Sequence, residues 1–133
     1  MLRQGPIPAF VHGVLEYIAG ALLIAAPFLF AFDSDAATAV SIVAGVVVLL
    51  ITASTAIPTG LTKSIPVPAH VVLDFLLGIL LIAVPFLFGF SDDGTATPFF
   101  IIFGVVHLLI TIATRFLPEE RPSRRSHRTP QAG

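Results

Sequence analysis

The 133-residue chain has no cysteine and no tryptophan, and only 11% of its residues are charged. Each shortage removes a class. Without Cys there is no disulfide scaffold, thiolate metal site or thiol nucleophile. An average soluble domain is about a quarter charged, and a small one buries the smallest fraction of its apolar surface, so water is a poor solvent for this chain. A disordered protein combines low hydrophobicity with high net charge, whereas here 56% of residues are hydrophobic and the formal charge is −1. The sequence carries no Gly-x-Ser-x-Gly elbow, phosphate loop or dinucleotide fingerprint. Its basic residues are few and lack interleaved aromatics, so no nucleic-acid partner is expected.

What fills the chain is apolar length. Mean hydropathy is +0.97, and twelve phenylalanines stand against one tyrosine. Residues 9–32 are interrupted only by His12 and Glu16, residues 36–57 by no charge, residues 67–90 by His70 and Asp74, and residues 98–117 only by His107 ahead of Arg115. About 20 apolar residues in a helix cross the hydrocarbon of a bilayer, while a membrane strand is about 9–11 residues long and alternates. These spans do not alternate. Connectors at 33–35, 58–66 and 91–97 carry the Asp, Gly, Ser, Thr and Pro of helix ends. The expected fold is all-α and membrane-embedded: an N-terminal segment 1–8, helices 9–32 and 36–57, a loop 58–66, helices 67–90 and 98–117, and a tail 118–133 whose three Pro and four Arg read as disordered.

The chain is one hairpin written twice. Residues 7–32 align with 65–90 with 15 identities in 26 positions, including Pro8 with Pro66, His12 with His70 and Pro27-Phe28-Leu29-Phe30 with Pro85-Phe86-Leu87-Phe88. Glu16 is matched by Asp74. The second halves align at an offset of 59, pairing Gly45-Val46-Val47 with Gly104-Val105-Val106 and Thr52 with Thr111. Each unit holds two spans, so both copies insert the same way round, as two tandem parallel-repeat helical hairpins about a pseudo-two-fold along the membrane normal. Gly20 with Gly78, and Gly45 with Gly104, are expected where helices approach closely.

Each unit reads Ile-Pro-x-x-x-His-x-x-Leu-(Glu/Asp)-(Tyr/Phe)-x-x-Gly-x-Leu-Leu-Ile-Ala-x-Pro-Phe-Leu-Phe-x-Phe. This pattern resembles the SPW-repeat integral membrane proteins of bacteria and archaea, named for a Ser-Pro-Trp triplet at the outer end of a helix. The triplet stands here as Ala26-Pro27-Phe28 and Val84-Pro85-Phe86. The resemblance implies a small multi-pass protein of a prokaryotic plasma membrane and implies no reaction. All seven Lys and Arg lie in the N-terminal segment, the 58–66 loop or beyond residue 114, and Asp33, Asp35, Asp92 and Asp93 fall in the other two connectors or at their edge. The positive-inside rule then makes both termini cytoplasmic. Pro27 and Pro85, with Phe28, Phe30, Phe86 and Phe88, are expected to form a helix-end device in which the Phe rings pack around a proline bend.

The remaining ionisable groups sit within the spans. His12 and Glu16, and His70 and Asp74, are four residues apart and share a helix face. Counted at 1.5 Å per residue from Pro8 and Pro66, the two acids lie about 12 Å deep. Thr52 and Thr111 fall close to that level, His107 lies about one turn deeper at about 16 Å, and its repeat counterpart is Val48. Buried charges normally face a bundle interior and pair. The preferred reading is a structural network in which each His bonds its own i+4 carboxylate and Thr52 and Thr111 complete the set. A proton or solute path is the alternative, and a metal site the third, although the acid following His by four is not the di-metal carboxylate spacing. No cofactor and no enzymatic activity are expected. The expected function is a structural or accessory membrane component, alternatively a small transporter working as an oligomer. The partners are the bilayer and a second copy or another membrane protein.

Overall fold

A computed structural model describes residues 5–116. Residues 1–4 and 117–133, including the tail expected to be disordered, lie outside the described residues. The elements run β1 (Ile7–Pro8), α1 (Ala9–Leu29), α2 (Asp35–Ser54), α3 (Val67–Leu87), α4 (Ala96–Ala113) and β2 (Thr114–Arg115). The helices hold 18 to 21 residues and are all long and apolar enough to cross a membrane. At 1.5 Å per residue they reach about 27–32 Å. The protein is a multi-pass membrane protein.

Both repeats end their first helix in the same way. Pro27 and Pro85 occupy the last turns of α1 and α3. Phe32 N–H then donates to Pro27 O at 3.1 Å, and Phe90 N–H to Pro85 O at 2.9 Å, the six-residue closure of a Schellman motif. The residue before each donor is left-handed, Ala31 at φ 51° and Gly89 at φ 72°. Glycine adopts this freely, while alanine gives up about 1–2 kcal/mol. The helices therefore stop at Leu29 and Leu87 although the apolar spans run on to residues 32 and 90. Hydropathy reports what lipid can cover, and here the turn is as apolar as the helix. In the same way α2 ends at Ser54, three residues before its span does. α4 runs from Ala96 to Ala113 rather than from 98 to 117, since its chain leaves for β2 at Thr114.

Within each repeat the two helices pack along their length, α1 on α2 and α3 on α4, through paired glycines. A Cβ on Gly45 would lie 2.6 Å from Gly20 O, and one on Gly104 would lie 2.8 Å from Gly78 O. At both positions the missing side chain lets one helix backbone rest on the other.

The repeats are joined at one end by strand exchange. β1 pairs with β2 in parallel, Ile7 opposite Thr114 and Pro8 opposite Arg115. The repeat-equivalent pair, Ile65 and Thr55, forms a parallel bridge, with Ala56 N–H donating to Ile65 O at 2.9 Å and Ile65 N–H to Ser54 O at 2.7 Å. Each hairpin's leading segment thus binds the other hairpin's trailing one, an arrangement the hydropathy pattern does not announce. Toward the opposite end a core forms from Ala37, Leu81, Val84, Phe90, Ala96 and Phe100. Phe100 is fully buried, with the rings of Phe32, Phe90 and Phe99 around it. Ile18, Leu50, Leu76 and Leu109 point outward from the four helices, a surface suited to lipid.

Candidate functional site

His12, Glu16, His70 and Asp74 meet between the repeats, near the strand-exchange end. Both imidazoles are 0% exposed, and the two acids are 4% and 2% exposed. His12 Nε2 lies 3.1 Å from Asp74 Oδ2 and 3.4 Å from Glu16 Oε1. His70 Nε2 lies 3.3 Å from Glu16 Oε2 and 3.3 Å from Asp74 Oδ2. Each imidazole faces both carboxylates. This revises the expectation that each His would bond its own i+4 acid, because the shortest contact crosses from α1 to α3. The i,i+4 spacing puts the pair on one face, but the pseudo-two-fold turns that face onto its twin.

Thr52 and Thr111 stand where the sequence places them. Thr52 Oγ1 reaches Glu16 Oε2 at 3.0 Å and Val48 O at 2.8 Å. Thr111 Oγ1 reaches Asp74 Oδ2 at 3.4 Å and His107 O at 3.0 Å. His107 Nε2 stops 3.9 Å from Asp74 Oδ1, beyond hydrogen-bond range. It lines, with His12 and Glu16, a crevice of about 80 Å³ between α1 and α4. Its counterpart Val48 is buried and apolar, so the polar site is not symmetric about the pseudo-two-fold.

Three residues that the sequence reading passed over complete the site. His12 Nδ1 lies 2.9 Å from Thr114 Oγ1, and His70 Nδ1 lies 2.8 Å from Thr55 Oγ1. Both threonines donate their hydroxyl hydrogen at 2.6 Å to a carbonyl one turn back, Ile110 O and Ile51 O. A hydroxyl has one hydrogen, so each Thr oxygen accepts from the imidazole. This network places a hydrogen on Nδ1 in both rings and aims both Nε2 atoms at the carboxylates. Phe116 closes the strand-exchange end, its ring centroid 4.8 Å from that of His12 and 6.1 Å from that of His70. A signal for the threonines was present: Thr55 and Thr114 are repeat equivalents three residues past Thr52 and Thr111.

The repeat unit, its paired helices and its buried His–acid core bear on lineage. A family model of the SPW repeat domain matches residues 10–114. The chain belongs to the SPW repeat family. No curated protein and no solved structure matches it. In this SPW-repeat protein the triplet positions divide by burial. Ala26, Pro27, Val84 and Pro85 are buried, whereas Phe28 is 73% and Phe86 64% exposed. Phe30 and Phe88 are also exposed. The expectation that these four rings pack around the proline bend is corrected. The rings that turn inward are Phe32 and Phe90, because the closing turn carries its last residue back over the helix. Phe30 keeps one aromatic contact, to Phe99 at 5.7 Å.

The far end holds one acid with a job of its own. Asp93 Oδ2 accepts from Asp33 N–H and Ser34 N–H, each at 2.9 Å. Its Oδ1 accepts from Thr95 N–H at 3.0 Å and Ala96 N–H at 2.9 Å. Asp93 therefore caps α4 and clamps the α1–α2 turn of the other repeat. Burial pushes its carboxyl up, and the four backbone N–H groups outweigh this and hold it below the usual carboxylate value. Its repeat counterpart Ser34 only caps its own helix, accepting from Ala37 N–H at 3.2 Å.

Proposed function

We propose that this SPW-repeat protein is a non-enzymatic structural or accessory component of a prokaryotic plasma membrane, with both termini cytoplasmic, working against a second copy or another membrane protein. The observation that supports this is the closed polar cluster. Its histidines, acids and threonines gather across the repeat boundary, with His12 Nε2 3.1 Å from Asp74 Oδ2 and Thr52 Oγ1 3.0 Å from Glu16 Oε2. The crevice that reaches them holds about 80 Å³, against about 300–1,000 Å³ for pockets that bind organic ligands. Such a network fixes helix rotation in a solvent where hydrophobicity does not discriminate one helix face from another. The orientation is supported by Lys63 and Arg115 lying at the cluster end of the bundle, while Asp33, Asp35, Asp92 and Asp93 lie at the other.

Crosslinking in native membranes tests the role. A stoichiometric homo-oligomer or a defined membrane partner is the expected product. A chain that stays monomeric and partnerless would overturn this reading, and a homo-oligomer with proton or solute flux in liposomes that Asp74→Asn abolishes would replace it with transport. The absence of Cys makes single-cysteine labelling clean: Ser64→Cys should react only from the cytoplasmic side and Asp92→Cys only from outside.

A further inference from the structure

The Nε2 atoms of the two buried imidazoles and the oxygens facing them form a compact donor set. The four N–O separations run from 3.1 to 3.4 Å, and one donor atom from each of His12, Glu16, His70 and Asp74 lies within 4.8 Å of the others. In a tetrahedral site with metal–nitrogen and metal–oxygen bonds of about 2.0–2.1 Å, neighbouring donors are about 3.3 Å apart. The N–O separations lie near that edge, with Glu16 turning Oε1 to His12 and Oε2 to His70, and the longer separations in the set, up to 4.8 Å, would shorten as the donors close on an ion.

The hydrogen-bond network leaves room for the same ion. With Thr114 and Thr55 accepting from Nδ1–H, each Nε2 faces the carboxylate oxygens either as an imidazolium N–H or as the lone pair of a neutral ring, and the lone pair is the form that binds a metal. His70 Nε2 is wholly buried and has no aligned hydrogen-bond partner, although two carboxylate oxygens stand 3.3 Å away. With both rings neutral, the two carboxylates carry a charge of −2 inside a membrane bundle, a costly state without a counter-charge such as a pair of imidazolium protons or an ion in their place. One divalent cation cancels it. A metal-bound imidazole characteristically donates its other N–H to an oxygen that fixes the ring, which is what Thr55 and Thr114 do here.

We propose that His12, Glu16, His70 and Asp74 form a closed, four-coordinate structural site for a divalent transition metal of the zinc class. Two imidazoles and two carboxylates suit zinc by ligand type, and a tetrahedral arrangement disfavours copper(II) and nickel(II). All four positions are supplied by protein, so the site has no open coordination position for substrate. The crevice lined by His12, Glu16 and His107 gives the ion its route in from the α1–α4 side. The inference rests on the cage itself and stands whether or not the accessory role does.

The test uses the full-length protein in detergent, stripped with a chelator and titrated with Zn2+ and separately with Co2+. The expected result is one tightly held ion per chain, with the intense visible absorption of tetrahedral cobalt(II), and a melting temperature raised by Zn2+. Asp74→Asn and Glu16→Gln keep side-chain volume and should each lose the cobalt bands and the zinc-induced shift. If either fails to fold, Thr114→Val, which leaves all four donors in place, should still bind but about 10–100-fold more weakly. Folded wild type that takes up only substoichiometric Zn2+ and Co2+ overturns the proposal. So does binding that persists unchanged in Asp74→Asn and Glu16→Gln, which would put the ion elsewhere.

Discussion

Replacing Thr55 or Thr114 with valine keeps the shape of the side chain and removes one oxygen. The hydroxyl of Thr114 holds His12 Nδ1 at 2.9 Å and that of Thr55 holds His70 Nδ1 at 2.8 Å. Both threonines and both imidazoles are almost wholly buried, so water has no room to take the missing oxygen's place. An unsatisfied buried donor costs about 1–3 kcal/mol, while interhelical hydrogen bonds in membranes average about 0.6 and reach about 1.7 kcal/mol. About 1–2 kcal/mol per variant is therefore expected. The two threonines act on one pair of carboxylates, so the double variant should depart from additivity by at least about 0.5 kcal/mol. Unfolding in detergent, followed by circular dichroism, measures this, with the exposed Thr62→Val as the control. Ring-nitrogen NMR should show Nδ1 protonated in both buried histidines of the wild type. Single variants that melt with the wild type, or strictly additive losses, would refute the idea that the threonines act on a shared cage.

Three further outcomes follow from the packing. Gly45→Val drives a side chain into Gly20 O and Ile24 and should cost about 1–3 kcal/mol as an overpacked contact, while Gly94→Ala, with open space around it, should leave the melting temperature unchanged. Phe100→Ala removes a fully buried ring and should cost about 3–5 kcal/mol, whereas Phe28→Ala, on the lipid-facing side, should cost far less when both are measured by the same melt. Asp93→Ala loses a helix cap, about 1 kcal/mol, together with the clamp on the other repeat's turn. Because the folded carboxyl of Asp93 is held below its unfolded value, its contribution is present above the unfolded pKa of about 3.9 and is lost as pH falls through the lower folded value. A pH series of melts should therefore show wild type and Asp93→Ala converging in acid, and a constant gap at every pH would contradict this.

The spans, the repeat and the His–acid pairs were legible because each leaves a periodic or recurrent trace in the chain. Four apolar runs of helix length have few other solutions in a bilayer, and the offsets of 58 and 59 residues set the two hairpins in equivalent orientations. What could not be read was which partner each group would choose. Spacing shows that His12 and Glu16 share a face, and it is silent on whether Asp74 of the other repeat stands closer. Thr55 and Thr114 escaped notice because they sit just past their helices, in extended backbone, where helical periodicity no longer speaks. In the sequence Asp93 is one more acid of a connector, since a side chain that caps one helix and holds a distant turn differs from a solvated one only in three dimensions. The outward-facing Phe28 and Phe86 show the converse. An aromatic beside a proline reads as packing, and in a membrane protein the packing partner can be lipid.

The strand exchange changes how the chain's continuity should be understood. Ile7 and Pro8 lie against Thr114 and Arg115, and Ile65 lies against Thr55, so each hairpin is completed by the other rather than by itself. The molecule has the logic of a two-subunit assembly whose subunits share one polypeptide, with the 58–66 loop as the strap between them. A single hairpin made alone would carry half a cage and two unmatched segments, one leading and one trailing, and its natural complement would be another hairpin. Cutting the strap would leave two pieces that still hold each other by the same strands and the same buried histidines.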